Sequence, residues 1–172
     1  MTALDDFRRE KDEWFGRAHE SPIPEAARAT FAGLRYYAEA PGLAFDVAPE
    51  RVDAPEVVEM ETSRGEAAQY ERWARVRFAV GGAPQVLTVF RSLSSGALFL
   101  PFQDANAGGE TYGAGRYLEL PELGDGRVRL DFNYAYNPYC AYDVCWSCPL
   151  PPAENHLAVA IRAGERSYEA AH

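Results

Sequence analysis

From Leu43 onward the chain is cut into short runs rich in Val, Phe, Tyr and Thr by Gly, Pro, Asp and Ser. Runs of this kind fold as strands and leave no room for long helices. They predict strands near 43–48, 56–62, 69–80, 85–91, 97–101, 115–120, 127–133 and 156–163, with a further one at 166–169. Such short, regular spacing implies antiparallel neighbours, because parallel pairs need long crossover connections. The clearest pair, Trp73–Val80 and Gln85–Phe90, alternates in polarity on either side of Gly81-Gly82-Ala83-Pro84 and predicts a hairpin. A second hairpin is predicted between Tyr117–Leu120 and Val128–Asp131, across a turn at 121–126 whose glycines permit positive φ.

Ahead of the strands, Leu4, Phe7, Trp14, Phe15 and Ala18 recur among charges at helical spacing, which gives an amphipathic helix over 4–19. Ser21-Pro22-Ile23-Pro24 stops it, since each proline removes a donor and restricts its predecessor. Pro24 then opens a short helix through Leu34. The expected fold is mainly β within the α+β class: an antiparallel β-sandwich or partly open barrel with the two N-terminal helices against an end or a face. One domain suffices for 172 residues that are 47% hydrophobic, with a helical segment over 1–35 and a β domain over 43–172.

The net charge of −9 argues against nucleic acid or an anionic membrane surface as partner, because such binding rests on clustered cations. Lys11 is the only lysine among the 17 basic residues. The N-terminus is charged from Asp5 and lacks an apolar core with a cleavage site, and no later window approaches a membrane span. A cytoplasmic protein with reduced thiols is expected. Oligomeric state has no sequence signal here.

Residues 132–155 break the pattern. They are dense in aromatics, amides, thiols and prolines, and a long structureless connection inside a compact domain is usually functional or tied down by its own side chains. If Phe132–Asn137 were extended, Asn133 and Asn137 would share a face with Ala135 and leave three rings on the other, a floor of amides backed by aromatics. The aromatics of this region include Tyr112, Tyr117, Tyr136, Tyr139, Tyr142 and Trp146. Asp104, Glu110, Asp131, Asn133, Asn137, Glu154 and Asn155 gather in sequence around Arg116, a set that can orient a polar substrate or hold a hard cation. The same residues can equally brace their own loops through backbone hydrogen bonds.

Cys140, Cys145, Cys148 and His156 give C-x4-C-x2-C-x7-H, enough ligands for tetrahedral zinc, although structural zinc sites usually show two tight ligand pairs and this has one. The alternative is thiols packed under the aromatic loop. Cys145-Trp146-Ser147-Cys148 is not a thioredoxin-like motif, because Pro149, Pro151 and Pro152 oppose the helix whose N-terminus would activate the first thiol. Gly113-Ala114-Gly115 is too short to cradle a phosphate.

Four stretches resemble a known family: E-T-Y-G-A-G-R-Y-L-E-L from Glu110, L-D-F-N-Y-A-Y-N-P-Y-C-A-Y from Leu130, C-P-L-P-P-A-E-N from Cys148 and A-G-E from Ala163, with F-A-G-L-R-Y-Y from Phe31 and L-F-L-P-F-Q-D from Leu98 in support. The chain is identified on these as resembling domain of unknown function 1684, a bacterial and archaeal family. The resemblance implies no activity. Its motif includes the residues matching Asp104, Gly108, Thr111, Tyr112, Gly115, Arg116, Asp131, Asn133, Tyr136, Asn137, Pro138, Cys140, Cys148, Pro149, Glu154 and Asn155, whereas Cys145 lies outside it and Asn106 and His156 depart from it.

Three readings follow in order of preference. The first is a small polar or anionic ligand bound around the 104–116 and 131–155 loops by Asp104, Arg116, Asp131, Asn133, Tyr136, Asn137, Glu154 and Asn155, with Arg116 as main charge partner. The second is a metal-assisted hydrolase-like enzyme using Asp131, Glu154 or the Cys140/Cys148 pair. The third is a structural or interaction protein in which 132–155 is an internally tied loop.

Overall fold

The computed structural model describes residues 1–169. Helix α1 (Ala3–Arg17) starts at a capping box: the Asp5 amide donates to Thr2 Oγ1 at 3.2 Å and the Thr2 amide donates to Asp5 Oδ2 at 2.8 Å. Asp5 and Asp6 in its first turn and Arg17 in its last favour the helix dipole. Its expected stripe is divided. Leu4 and Phe15 are buried, while Phe7 and Trp14 remain partly exposed. The second helix is a single turn, α2 (Glu25–Arg28), shorter than the predicted 24–34. Beyond it Gly33 takes a left-handed φ of 109°, and Asp12 Oδ1 accepts from the Leu34 amide at 3.0 Å and the Tyr36 hydroxyl at 3.1 Å. A side chain of α1 thus holds the segment that helical hydrogen bonds would otherwise have claimed.

Eight strands follow: β1 (Ala44–Val47), β2 (Glu50–Arg51), β3 (Val57–Glu61), β4 (Ala67–Val80), β5 (Ala83–Ser92), β6 (Leu98–Phe102), β7 (Arg116–Leu118) and β8 (Val128–Asp131). The larger sheet runs β2-β4-β5-β6-β7, with β3 on another stretch of β4, and β1 pairs with β8 in a separate ribbon. Every named pair is antiparallel, and the sheets do not close into a barrel. The β4–β5 hairpin is tighter than its four-residue expectation. Val80 pairs with Ala83 across Gly81 and Gly82, whose φ values of 56° and 83° suit a two-residue turn matched to strand twist.

Two expectations are corrected. Tyr117–Leu120 and Val128–Asp131 do not form the second hairpin as drawn, because both edges of β7 are already taken. Leu100–Phe102 of β6 occupies one edge, and Tyr136 exchanges both backbone bonds with Tyr117 on the other, at 2.8 and 3.0 Å. Strand β8 turns to β1, and hairpin-like bonds survive only between 121–123 and 127–129. Second, 156–163 and 166–169 are not strands. The carbonyls of Ile161, Ala163 and Glu165 accept hydrogen bonds from the Arg116 guanidinium, which stands where a neighbouring strand would.

The main core joins Val76, Leu87, Leu100, Phe102, Leu130 and Phe132 with Ile161 and Ala163 of the C-terminal segment. Phe15, Ile23 and Tyr142 form a second cluster that fastens α1 to the 132–155 loop. Tyr117, Cys140 and Cys148 form a third.

Candidate functional site

The anticipated site residues separate into two groups. Arg116 is 1% exposed. It donates to the carbonyls of Ile161 at 2.9 Å and Glu165 at 3.1 Å, to that of Ala163, and to Asp104 Oδ2 at 3.4 Å. Burial pushes its pKa down, against the pull of Asp104. Asp104 Oδ2 also accepts from the Ile161 amide at 2.6 Å. The pair pins the C-terminal segment to β6 and β7.

Asn133 and Asn155 act as substitute peptide groups. Asn155 Oδ1 accepts from the Thr88 amide at 2.8 Å, and its Nδ2 donates to the carbonyls of Thr88 and Pro101, each at 2.8 Å. It fills the gap where β5 and β6 part. Asn133 does the same for Ala40, accepting from its amide at 2.8 Å and donating to its carbonyl at 3.0 Å. The expected shared face of Asn133 and Asn137 does not exist, since Phe132–Tyr134 is a 3-10 turn capped by Asp131, whose Oδ1 accepts from the Asn133 amide at 3.0 Å. Glu154 faces Arg72 at 2.7 Å and accepts from the Thr88 hydroxyl at 2.8 Å, beside the Asn155 bonds to Thr88 and off the cleft wall. Glu110 accepts from the Tyr37 hydroxyl at 2.6 Å.

Asp131, Tyr136 and Asn137 do converge, on the wall of a cleft of about 850 Å³. Phe7, Lys11 and Phe15 of α1 form one side, Phe99 and Tyr117 lie at β6 and β7, and Tyr134, Tyr139 and Trp146 close the other. Phe7 meets Tyr134 edge-on at 5.0 Å, and Tyr139 meets Trp146 at 5.2 Å. An adjoining depression of about 590 Å³ shares Phe99 and Tyr136. Lys11 pairs with Glu165, which is 2% exposed, and sits 5.1 Å from the Tyr136 ring centre and 5.3 Å from that of Phe15. Glu165 Oε1 further accepts from the Asn137 amide at 3.2 Å and the Tyr142 hydroxyl at 3.0 Å. Burial first, and then the Glu165 carboxylate, push the Tyr142 phenol up. Asn137 Nδ2 donates to the Arg166 carbonyl at 2.9 Å, but its Oδ1 is buried with no hydrogen-bond partner among the described residues. Of the buried side-chain atoms left in that state, it alone belongs to the cleft wall.

The contribution of α1 was not anticipated, yet its signal lies in the sequence. Lys11, the sole lysine, falls at the helical spacing of the apolar residues Leu4, Phe7 and Phe15, where a solvated charge does not belong.

The four-ligand zinc arrangement is not assembled: among the described residues no three His, Cys, Asp or Glu side chains are placed to hold a metal ion. Cys145 is exposed, and His156 Nε2 lies 3.0 Å from the Pro151 carbonyl. Cys140 and Cys148 are buried with Tyr117. The Cys140 amide donates to Cys148 Sγ at 3.3 Å, and the Tyr112 hydroxyl reaches Cys140 Sγ at 3.6 Å. The Cys148 thiol, followed by the Tyr112 and Ser63 hydroxyls, draws Cys140 down to about 6 against burial, and Cys148 is pushed up in return. No described helix is long and apolar enough to cross a membrane.

No curated protein matches the chain. Among solved structures, it is similar to an uncharacterized protein of Haloarcula marismortui determined by solution NMR, at 41% identity and a TM-score of 0.72, over 95% of this chain and 91% of that one. Residues 29–166 match the family model described as "Protein of unknown function (DUF1684)", and the chain belongs to that family.

Proposed function

We propose that the protein binds a small molecule with an aromatic body and a polar or anionic head in the cleft between α1 and the 131–148 segment. The observation that carries this reading is Asn137 Oδ1, a buried acceptor without a partner in the wall of a cleft of ligand size. Unmet buried polar atoms cost about 1–3 kcal/mol and are accordingly rare. A ligand N–H or O–H would meet this one on displacing the side chains that shut it from solvent. Lys11 uses one donor on Glu165 and has others for a carboxylate, while Tyr134, Tyr139 and Trp146 offer faces for a ring. Arg116 contributes only by holding the C-terminal segment behind Glu165. Three free cysteines support a reducing, cytoplasmic setting.

The test is a fragment screen by amide and indole NMR with benzoate, benzamide and phenylphosphate. The expected result is saturable shifts confined to Lys11, the 134–139 backbone and the Trp146 indole, weakened by Trp146→Ala. Shifts scattered over the surface, or none at millimolar fragment, would leave the 132–155 segment as an internally tied loop and remove the binding reading.

A further inference from the structure

Two of the three thiols stand together, one of them on the cleft wall, while the third stands apart. Cys148 is part of the cleft wall, and its sulfur lies 3.3 Å from the Cys140 backbone nitrogen, so one cysteine is folded directly over the other. Their environments differ in a useful way. Each sulfur faces one donor, the Tyr112 hydroxyl 3.6 Å from Cys140 Sγ and the Cys140 amide 3.3 Å from Cys148 Sγ, and it is the Cys140 thiol that its neighbours, Cys148 first, draw down while Cys148 is pushed up. Donors directed at sulfur favour the thiolate, which is the nucleophilic form. Both residues are under 9% exposed and, of the two, only Cys148 lines the cleft, so a reagent that reaches Cys140 must be small, and Cys145, which is exposed, is the one a bulky reagent would meet first.

We propose that Cys140 and Cys148 are a peroxide-reactive dithiol, with Cys140 the attacking sulfur, Cys148 the resolving one, and a hydroperoxide the oxidant. The Cys140 thiolate attacks one peroxide oxygen. The O–O bond breaks, and with one proton taken up the products are the Cys140 sulfenic acid and water, or an alcohol from an organic hydroperoxide. The Cys148 thiol then attacks the Cys140 sulfur, the S–O bond breaks, and hydroxide leaves with the Cys148 proton as a second water. Two thiols are oxidised by two electrons and one peroxide is reduced. An external thiol such as reduced glutathione reverses the disulfide through exchange. The bond would close the loop that carries Trp146 and Ser147, fixing one wall of the cleft. This inference rests on the thiol geometry and stands whether or not a ligand binds.

The experiment treats the intact, folded chain with hydrogen peroxide near equimolar, then blocks remaining thiols and maps peptides by mass spectrometry. The expected result is loss of two hydrogens per chain, a linked pair of peptides containing Cys140 and Cys148, and Cys145 recovered blocked. Cys148→Ser should instead accumulate a sulfenic acid at Cys140 that dimedone traps, and Cys145→Ser should leave the linkage intact. The proposal is overturned if the natural sequence keeps all three thiols free while folded, or if the linkage maps to Cys145. It is equally overturned if the link appears only after the chain has been unfolded. Because the natural sequence carries the deciding measurement, a variant that fails to fold does not obscure it.

Discussion

Replacing Arg116 with lysine separates the brace reading of this residue from the ligand reading more sharply than any other single change. Arg116 supplies a planar fork whose Nη1 serves the carbonyls of Ala163 and Glu165 and whose Nη2 serves Ile161 and Asp104. A lysine ammonium keeps the charge beside Asp104 but is a point donor on a flexible stem and cannot span these carbonyls at once. At least two buried acceptors would lose their donor, at about 1–3 kcal/mol each. A loss of about 3 kcal/mol follows, which for a chain of this size lowers Tm by about 6–12 °C. Arg116→Met goes further, leaving Asp104 a buried carboxylate without its cation, worth a further 3–5 kcal/mol or so. Native stability is only about 5–15 kcal/mol, so this second variant should fail to hold its tertiary structure. Calorimetry gives the Tm change, and hydrogen exchange localises it: the amides of Ile161 and Glu165 should lose protection before those of β4 and β5. If Arg116→Lys melted within about 2 °C of the natural protein, by that same conversion, while abolishing fragment binding, the guanidinium would be a ligand contact and the brace account would be wrong.

Other perturbations follow from the same contacts. Asn155→Leu keeps the branched heavy-atom outline but strands the Thr88 amide and the Thr88 and Pro101 carbonyls, so denaturant titration should show a loss of about 2–5 kcal/mol. Gly164→Ala puts a Cβ within 2.7 Å of the Phe132 and Ala135 carbonyl oxygens at a φ of 78°, and should cost more than about 2 kcal/mol in the same assay. The dithiol makes stability pH-dependent with opposite signs. Cys140, depressed from its ordinary 9.0 to about 6, adds stability that is fully present above the unfolded value and is lost as pH falls through 6. Cys148, raised by its neighbour, adds stability present below 9.0 that fades at higher pH. Urea midpoints should therefore climb from about pH 6 toward 9 and then turn down. Cys140→Ser should flatten the climb; a profile unchanged by that substitution would contradict the assignment.

What could be read along the chain was what depends on neighbours in the chain. The hairpin of β4 and β5 was legible because alternating residues and two adjacent glycines fix strand faces and turn within one short stretch of chain, Trp73 to Phe90. The proline stop after α1 and seven of the strands follow from equally local rules. So does the family, whose signature is a string of residues. What no local rule reaches is which partner a polar side chain takes across 40 residues or more. Arg116 faces carbonyls 45 to 49 positions away, and Asn155 and Asn133 serve backbone 67 and 93 positions away. Each could equally have faced a ligand, because the chemistry that recognises a carboxylate or an amide in a ligand also recognises a backbone carbonyl. Folding chose the backbone for these residues. It left Asp131, Tyr136 and Asn137 on a cleft whose opposite wall, Phe7, Lys11 and Phe15, comes from the far end of the chain. The sequence alone determined that residues 132–155 would be unlike the rest of the chain. Tertiary packing decided which of its groups are consumed in holding the fold and which one, Asn137 Oδ1, still lacks a partner.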